Sequence, residues 1–148
     1  MQTITERSRY ILGLLRIAKE LGVPVTATRL QKVTFLVEKE LNYHLGYTFI
    51  PYYFGPFSKD LQDDVYALKR RGLVEIFEEP VVDSITGAVV GFKKTYTIKE
   101  LTPMIELEEK LAKFLAEKLI IPLGELLRYI YLNYPQYTAN SLIKDKIF

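Results

Sequence analysis

The chain contains no cysteine and no tryptophan, and it has a single histidine, His44. Without thiols, disulfides and thiolate metal sites are excluded, and one imidazole cannot build a His-rich zinc site. An excess of one charge is missing too. Lys and Arg number 20 against 18 Asp and Glu, a formal net charge of +2. Nucleic-acid binding by bulk charge is thereby excluded, so any such binding requires a local patch. No apolar run reaches transmembrane length, and the start "MQTITERSRYILGLL" lacks a signal peptide's small-residue cleavage site, so the expected location is the cytoplasm, with no membrane partner. There is no Gly-rich phosphate loop, no G-x-S-x-G and no H-E-x-x-H. Asp63 and Asp64 are adjacent, but neighbours on a helix do not face one way, which argues against a metal-dependent nuclease. His44, in "ELNYHLGY", reads as a helix-end residue near carbonyls rather than a general base. No enzyme activity, cofactor or metal site is expected. Asn and Gln are scarce while Lys and Glu are common, a bias that fits a heat-adapted source.

What is present is a globular chain of 148 residues, 49% hydrophobic and 26% charged, most simply one domain. Residues 7–21 place Ile11, Leu14, Leu15, Ala18 and Leu21 on one helical face, with Arg9, Gly13, Arg16 and Glu20 opposite. Gly22 and Pro24 end that helix. A second helix starts at "TRLQ", where Thr28 and Gln31 have capping-box spacing, and runs to about Leu41. "YTFIPYYF" reads as an aromatic strand, restricted by Pro51 to an edge or a short pairing. Gly55-Pro56 reads as the turn after it. Ser58 is the expected N-cap of a third helix over 59–71, with Leu61, Val65 and Leu68 inward. Residues 73–98 form a hairpin turning at "ITG". Thr102 and Pro103 predict the cap and first position of a long helix to about Leu119, in which Glu106/Lys110 and Glu109/Lys113 fall at i,i+4. Another helix opens near Pro122, and a short last one follows Thr138.

The third helix carries Asp60, Asp63 and Asp64 early and Lys69, Arg70 and Arg71 late. Charges ordered this way oppose the helix macrodipole, and Gly72 is placed to terminate the helix, so local stabilisation explains the ramp without a ligand.

The expected fold is mostly α with a small β-hairpin, an α+β arrangement. Three helices, a hairpin and a long helix is the element order of a winged-helix domain (1–101) followed by C-terminal helices (102–148). The connection between helices two and three is much longer than a helix-turn-helix turn. "RLQKVTFLVEKE", followed by "YTFIPYYFGPFSKDLQDDVYALKRRGLVEI", resembles the Panacea/SocA-like antitoxin and YwgA-like group of small bacterial and archaeal proteins. The matching positions are Leu30, Gln31, Lys32, Tyr53, Gly55, Pro56, Phe57, Ser58, Leu61, Leu68, Gly72 and Leu73, within residues 28–76. That resemblance implies a winged-helix-like domain acting in regulation, or as an antitoxin or adaptor, and not an enzyme.

Two functions follow. The first is a DNA-binding regulator, possible in transcription, contacting DNA through Lys59, Gln62, Tyr66, Lys69, Arg70 and Arg71 on the third helix and Lys93 and Lys94 on the hairpin. Asp63 shares that face and repels phosphate. Residues 1–40 offer a second basic region with Arg7, Arg9, Arg16, Lys19, Arg29, Lys32 and Lys39. The alternative is a protein-binding antitoxin or adaptor using an aromatic surface of Tyr47, Tyr52, Tyr53 and Phe54. In either case Gly55, Pro56, Phe57 and Ser58 are expected to be a structural junction with Phe57 packed inward. Met104, Leu107, Leu111, Phe114 and Leu115, extended by Leu126, Leu127 and Ile130, offer an apolar stripe for a homodimer.

Overall fold

The computed structural model describes residues 4–52 and 55–139. Helix α1 (Glu6–Leu21) opens where Thr5 accepts a hydrogen bond from the Ser8 N–H at 3.1 Å, and it closes at left-handed Gly22. A two-residue strand β1 (Val25–Thr26) leads into α2 (Ala27–Glu40). The cap of α2 is Thr26, not Thr28: Thr26 Oγ1 accepts from Arg29 N–H at 3.2 Å. The Gln31 side chain is thereby released for another task, described below.

The aromatic segment is not one strand. It folds as β2 (Ile50–Tyr52) and β3 (Gly55–Phe57), paired antiparallel with Pro51 opposite Pro56. Gly55-Pro56 therefore lies in a strand rather than forming the turn. Two prolines in one ladder are tolerable because this pairing is three residues long and has no further strand on either side. Helix α3 (Lys59–Arg70) follows with Ser58 as its cap, and the helix stops at Arg71 because Gly72 takes φ +78° and donates to the Lys69 carbonyl at 3.0 Å.

Strands β4 (Val74–Val82) and β5 (Val89–Ile98) make the hairpin, joined by a turn in which the Asp83 carboxylate accepts from Ile85 and Thr86 N–H groups. These bonds lower the Asp83 pKa below the usual carboxylate value. The sheet order is β1-β5-β4, with Val25 opposite Tyr96 and Thr26 opposite Thr95. The fold is α+β.

Thr102 does not start a helix. Its hydroxyl donates to the Leu73 carbonyl at 2.9 Å and its own carbonyl accepts from Arg16 Nη2 at 3.1 Å, so it pins the segment after the hairpin instead. Helix α4 (Glu109–Leu119) begins only after Glu108, which leaves Glu106 outside any helix and removes the expected Glu106/Lys110 pair. Helix α5 (Leu123–Asn133) and a 3-10 turn (Pro135–Tyr137) complete the described chain. The short helix expected after Thr138 falls almost wholly outside the described residues.

One buried cluster gathers Tyr10, Leu14, Val33, Leu36, Leu61, Val65, Val74 and Ile98 with Leu111, Leu115, Leu119, Leu126 and Ile130. Helices α4 and α5 thus complete the core against α1 and α2. The apolar stripe assigned to a dimer is consumed here: Leu111, Leu115, Leu126, Leu127 and Ile130 are buried within the chain, Phe114 is half-buried, and Met104 stands exposed outside the helix. Gly13 also belongs to the interior. A Cβ at that position would lie 2.5 Å from the Leu107 side chain, so the absent side chain is what lets Leu107 seat on α1.

Candidate functional site

Ser58 is the centre of a buried junction. Its Oγ accepts from Leu61 N–H at 3.3 Å, its backbone N–H donates to Gln31 Oε1 at 2.8 Å, and its carbonyl accepts from Gln31 Nε2 at 2.9 Å. One amide side chain on α2 thus satisfies both backbone groups of the residue that starts α3. The next residue on α2, Lys32, is only 3% exposed and donates from Nζ to the Pro56 carbonyl at 3.0 Å. Gly55 adopts φ +94°, and a Cβ there would sit 3.2 Å from the Tyr131 ring and 3.7 Å from Lys32 Cε. Glycine is required by both backbone and space. Phe57 is not the inward anchor expected of it. It is half-buried and stacks on the Tyr52 ring at 5.1 Å, while Gly55, Pro56 and Ser58 are the buried members. The Gln31-Lys32 pair and the Gly55–Ser58 stretch, read separately in the sequence, are two halves of one lock.

Most basic residues of the N-terminal forty are engaged within the fold, and Lys19 and Lys39 stand exposed. Arg7 Nε binds Asp64 at 2.9 Å while its guanidinium lies over the Tyr47 ring at 4.1 Å. Arg29 donates to the Leu119 and Ile121 carbonyls at 3.1 and 2.7 Å, closing the end of α4. Arg16 holds Thr102, and Arg9 reaches the Glu106 carbonyl at 3.4 Å. Lys32 is inside. Tyr47 is likewise no docking residue: it is buried, and its hydroxyl donates to Asp64 at 2.7 Å. Burial away from water, reinforced by that carboxylate, pushes the Tyr47 pKa well above its ordinary value. Of the remaining aromatic surface, Tyr52 is exposed, and Tyr53 and Phe54 lie outside the described residues. His44 is exposed in the loop after α2.

The proposed DNA face is divided by the fold. Lys69 and Arg70 are exposed at the end of α3, and Arg71 is half-buried as its C-cap. Lys59 is exposed but lies 3.8 Å from Asp63. Gln62 is half-buried and lines the rim of a cavity described below. Lys94 Nζ sits 5.1 Å over the Tyr66 ring, so helix and hairpin do meet at that point. Lys93, adjacent on the strand, points to the opposite face by β alternation and cannot join them. Both hairpin lysines stand across from acids, Lys94 opposite Glu78 and Lys93 opposite Glu79. The basic face is interrupted.

The hairpin supplies what the charge pattern does not. Past the rung Phe77–Thr95, neither strand has a second β neighbour among the described residues, because β1 ends at Thr26. Phe77, Val81, Val82, Ile85, Val89, Val90 and Phe92 are all exposed along this arm, Ile85 at 93% and Phe92 at 61%. By register, Pro80 and Phe92 share one face and Phe77 and Val81 the other, and the ladder shifts register between Val81 and Val82. The sequence pattern marks the hairpin but not the exposure of its apolar residues. The missed signal was "VVDSITGAVVGF", an arm tip with one charge among twelve residues.

Among the described residues, no cluster of His, Asp or Glu could hold a metal ion, and no helix is long and apolar enough to cross a membrane. Compared with known protein families, curated proteins and solved structures, the chain matches none.

Proposed function

We propose that this protein is a protein-binding regulatory module that engages its partner through the β4–β5 arm. The observation that carries this reading is the arm itself: apolar side chains exposed on both faces and at the tip, with no core of their own to cover. An unpaired β4 edge beside those side chains offers backbone groups as well, the combination used in strand-addition binding. The order α1, β1, α2, α3 and hairpin, with β1 alongside the returning strand β5, supports a winged-helix reading in which the arm is the wing. The resemblance of residues 28–76 to the Panacea/SocA-like and YwgA-like group makes the partner a different protein, as for an antitoxin or adaptor, rather than a second copy.

Direct DNA binding is the competing reading, favoured by Lys69, Arg70 and the Lys94–Tyr66 contact. Acids opposite both hairpin lysines and an apolar tip weigh against a wing that enters a charged groove. A photo-crosslinking residue at Ile85, in cells of the native source, tests the proposal. A discrete protein adduct is expected at Ile85 and not when the crosslinker replaces Lys113 on α4. Fluorescence anisotropy with duplex DNA at low salt provides the opposing arm. Binding in the usual non-specific range, roughly 10⁻⁴ to 10⁻⁶ M, that is lost in Lys69→Glu/Arg70→Glu would overturn the protein-binding reading in favour of DNA. A dimer mass in light scattering that reverts to monomer in an Ile85→Ser/Phe92→Ser variant would make the partner a second copy.

A further inference from the structure

Beneath the hairpin base lies a cavity of about 120 Å³ that the arm does not use. Its walls come from α2 (Ala27, Thr28, Gln31, Lys32), the β2–β3 pair (Tyr52, Gly55, Phe57), Gln62 of α3 and Tyr96 of β5. Water needs only ~10–15 Å³ of such space, so the volume admits a small ligand group rather than a single solvent molecule. Five elements converge on it, and Tyr52 and Gln62 bring its rim to the surface.

Lys32 is the unusual member. An ammonium has three donors, and this one donates to the Pro56 carbonyl. The Gln31 amide beside it is committed to Ser58. No described acid forms an ion pair with Lys32. The other titratable side chains that line the cavity or pack against Gly55 are tyrosines, Tyr52 on β2, Tyr96 on β5 and Tyr131 on α5; the charged residues of α3, β5 and α5 are not among the lining. A buried cation without a counter-charge is expensive. Removal from water lowers the Lys32 pKa to about 7. Holding the Pro56 carbonyl alone does not require a charge, since a neutral amide donor would serve.

The geometry points to a binding site for a monoanionic carboxylate with a short apolar or aromatic flank, the carboxylate meeting Lys32 and the flank lying against Tyr52, Phe57 and Tyr96. One cation matches one negative charge, whereas a phosphate dianion would find no second base among the lining residues. Thr28 and Gln62 supply further hydrogen-bond donors, and Ala27 presents only a small side chain to the flank. The site touches both α3 and the base of the arm, so an occupant contacts the two elements on which either reading of the function depends. The inference stands independently of the arm's partner.

The sign of the pH dependence follows directly. The carboxylate binds the protonated lysine, so affinity is full below pH 7 and declines as pH rises through it. Between pH 6 and pH 8 the apparent affinity should fall about tenfold. The test is a ¹³C NMR titration of the Lys32 Cε resonance with benzoate, using benzamide as the neutral counterpart. Benzoate should shift that resonance and bind about tenfold more tightly at pH 6 than at pH 8, and benzamide should do neither. Lys32→Met, which fills the space without charge and is expected to stay folded, should abolish benzoate binding. The source of the carboxylate is separated by Gly-Gly-Phe with a free or an amidated C-terminus. Tighter binding of the free peptide than of benzoate assigns a chain end, and the reverse assigns a small organic acid. No saturable shift with either carboxylate at millimolar concentration, binding unaffected by Lys32→Met, or a pH-independent affinity would overturn the site and leave Lys32 a purely structural donor to Pro56.

Discussion

The two halves of the β4–β5 hairpin share one ladder but have opposite surroundings. At the base, Val74, Tyr96 and Ile98 are buried, β1 flanks the sheet, and Thr102 ties Leu73 to the segment beyond. In the arm, Phe77, Ile85 and Phe92 are just as apolar and yet exposed. Hydrophobicity therefore does not distinguish them; coverage does. An apolar side chain at the base stabilises the fold, whereas one left exposed in the arm gains little from folding, which is why the arm is proposed as the contact surface.

Substitution should expose this difference most strongly. Ile98→Ala at the base should cost about 2–5 kcal/mol in denaturant unfolding, as for other fully buried aliphatic truncations. Phe92→Ala in the arm should cost less than about 0.5 kcal/mol. Equal losses at the two positions would mean that the arm is covered in the free protein.

Charge sharpens the same contrast. Lys32 is buried below the base with its pKa lowered to about 7, so the unfolded chain holds more protons than the native one from pH 7 up to the ordinary lysine range. Stability should accordingly rise with pH from 7 to about 10, by at most about 1.4 kcal/mol per unit. Above that range the buried tyrosines Tyr10, Tyr47 and Tyr96, whose pKa values burial raises, reverse the trend, because the unfolded chain then loses protons first. Lys32→Met should flatten the rise. Lys93→Ala and Lys94→Ala should leave it in place.

Smaller still is the junction beside the base. Ser58→Ala removes the cap of α3 and should lower stability by about 0.5–2 kcal/mol, with arm-mediated binding unchanged in the folded protein. Loss of binding without loss of stability would instead make this junction a contact surface.

The sequence made the local elements legible. The 3.6-residue periodicity located α1, α2 and α3, Ser58 declared itself as a cap, and Gly72 marked the end of α3. Errors arose where a distant group claimed a residue. Thr102 had every local reason to cap a helix, but its hydroxyl is taken by Leu73, twenty-nine positions away. Thr28-x-x-Gln31 had capping-box spacing, but Gln31 is taken by Ser58. The stripe on α4 had the spacing of a dimer interface and met α1 and α2 of its own chain first. Lys32 was counted among surface bases because nothing in a single sequence reports burial of one lysine. Side-chain alternation, applied to Lys93 and Lys94, would have separated them in advance.

We propose the arm, not the basic end of α3, as the contact surface. The most direct test is the affinity of the protein crosslinked at Ile85, measured for three forms: wild type, Val81→Ser/Ile85→Ser/Phe92→Ser, and Lys69→Glu/Arg70→Glu. Apolar anchors at an interface centre each contribute on the order of 1–2 kcal/mol or more, so the arm variant should bind at least tenfold more weakly, while the helix variant keeps wild-type affinity. An arm variant that binds like wild type, beside a helix variant that does not, would contradict the account.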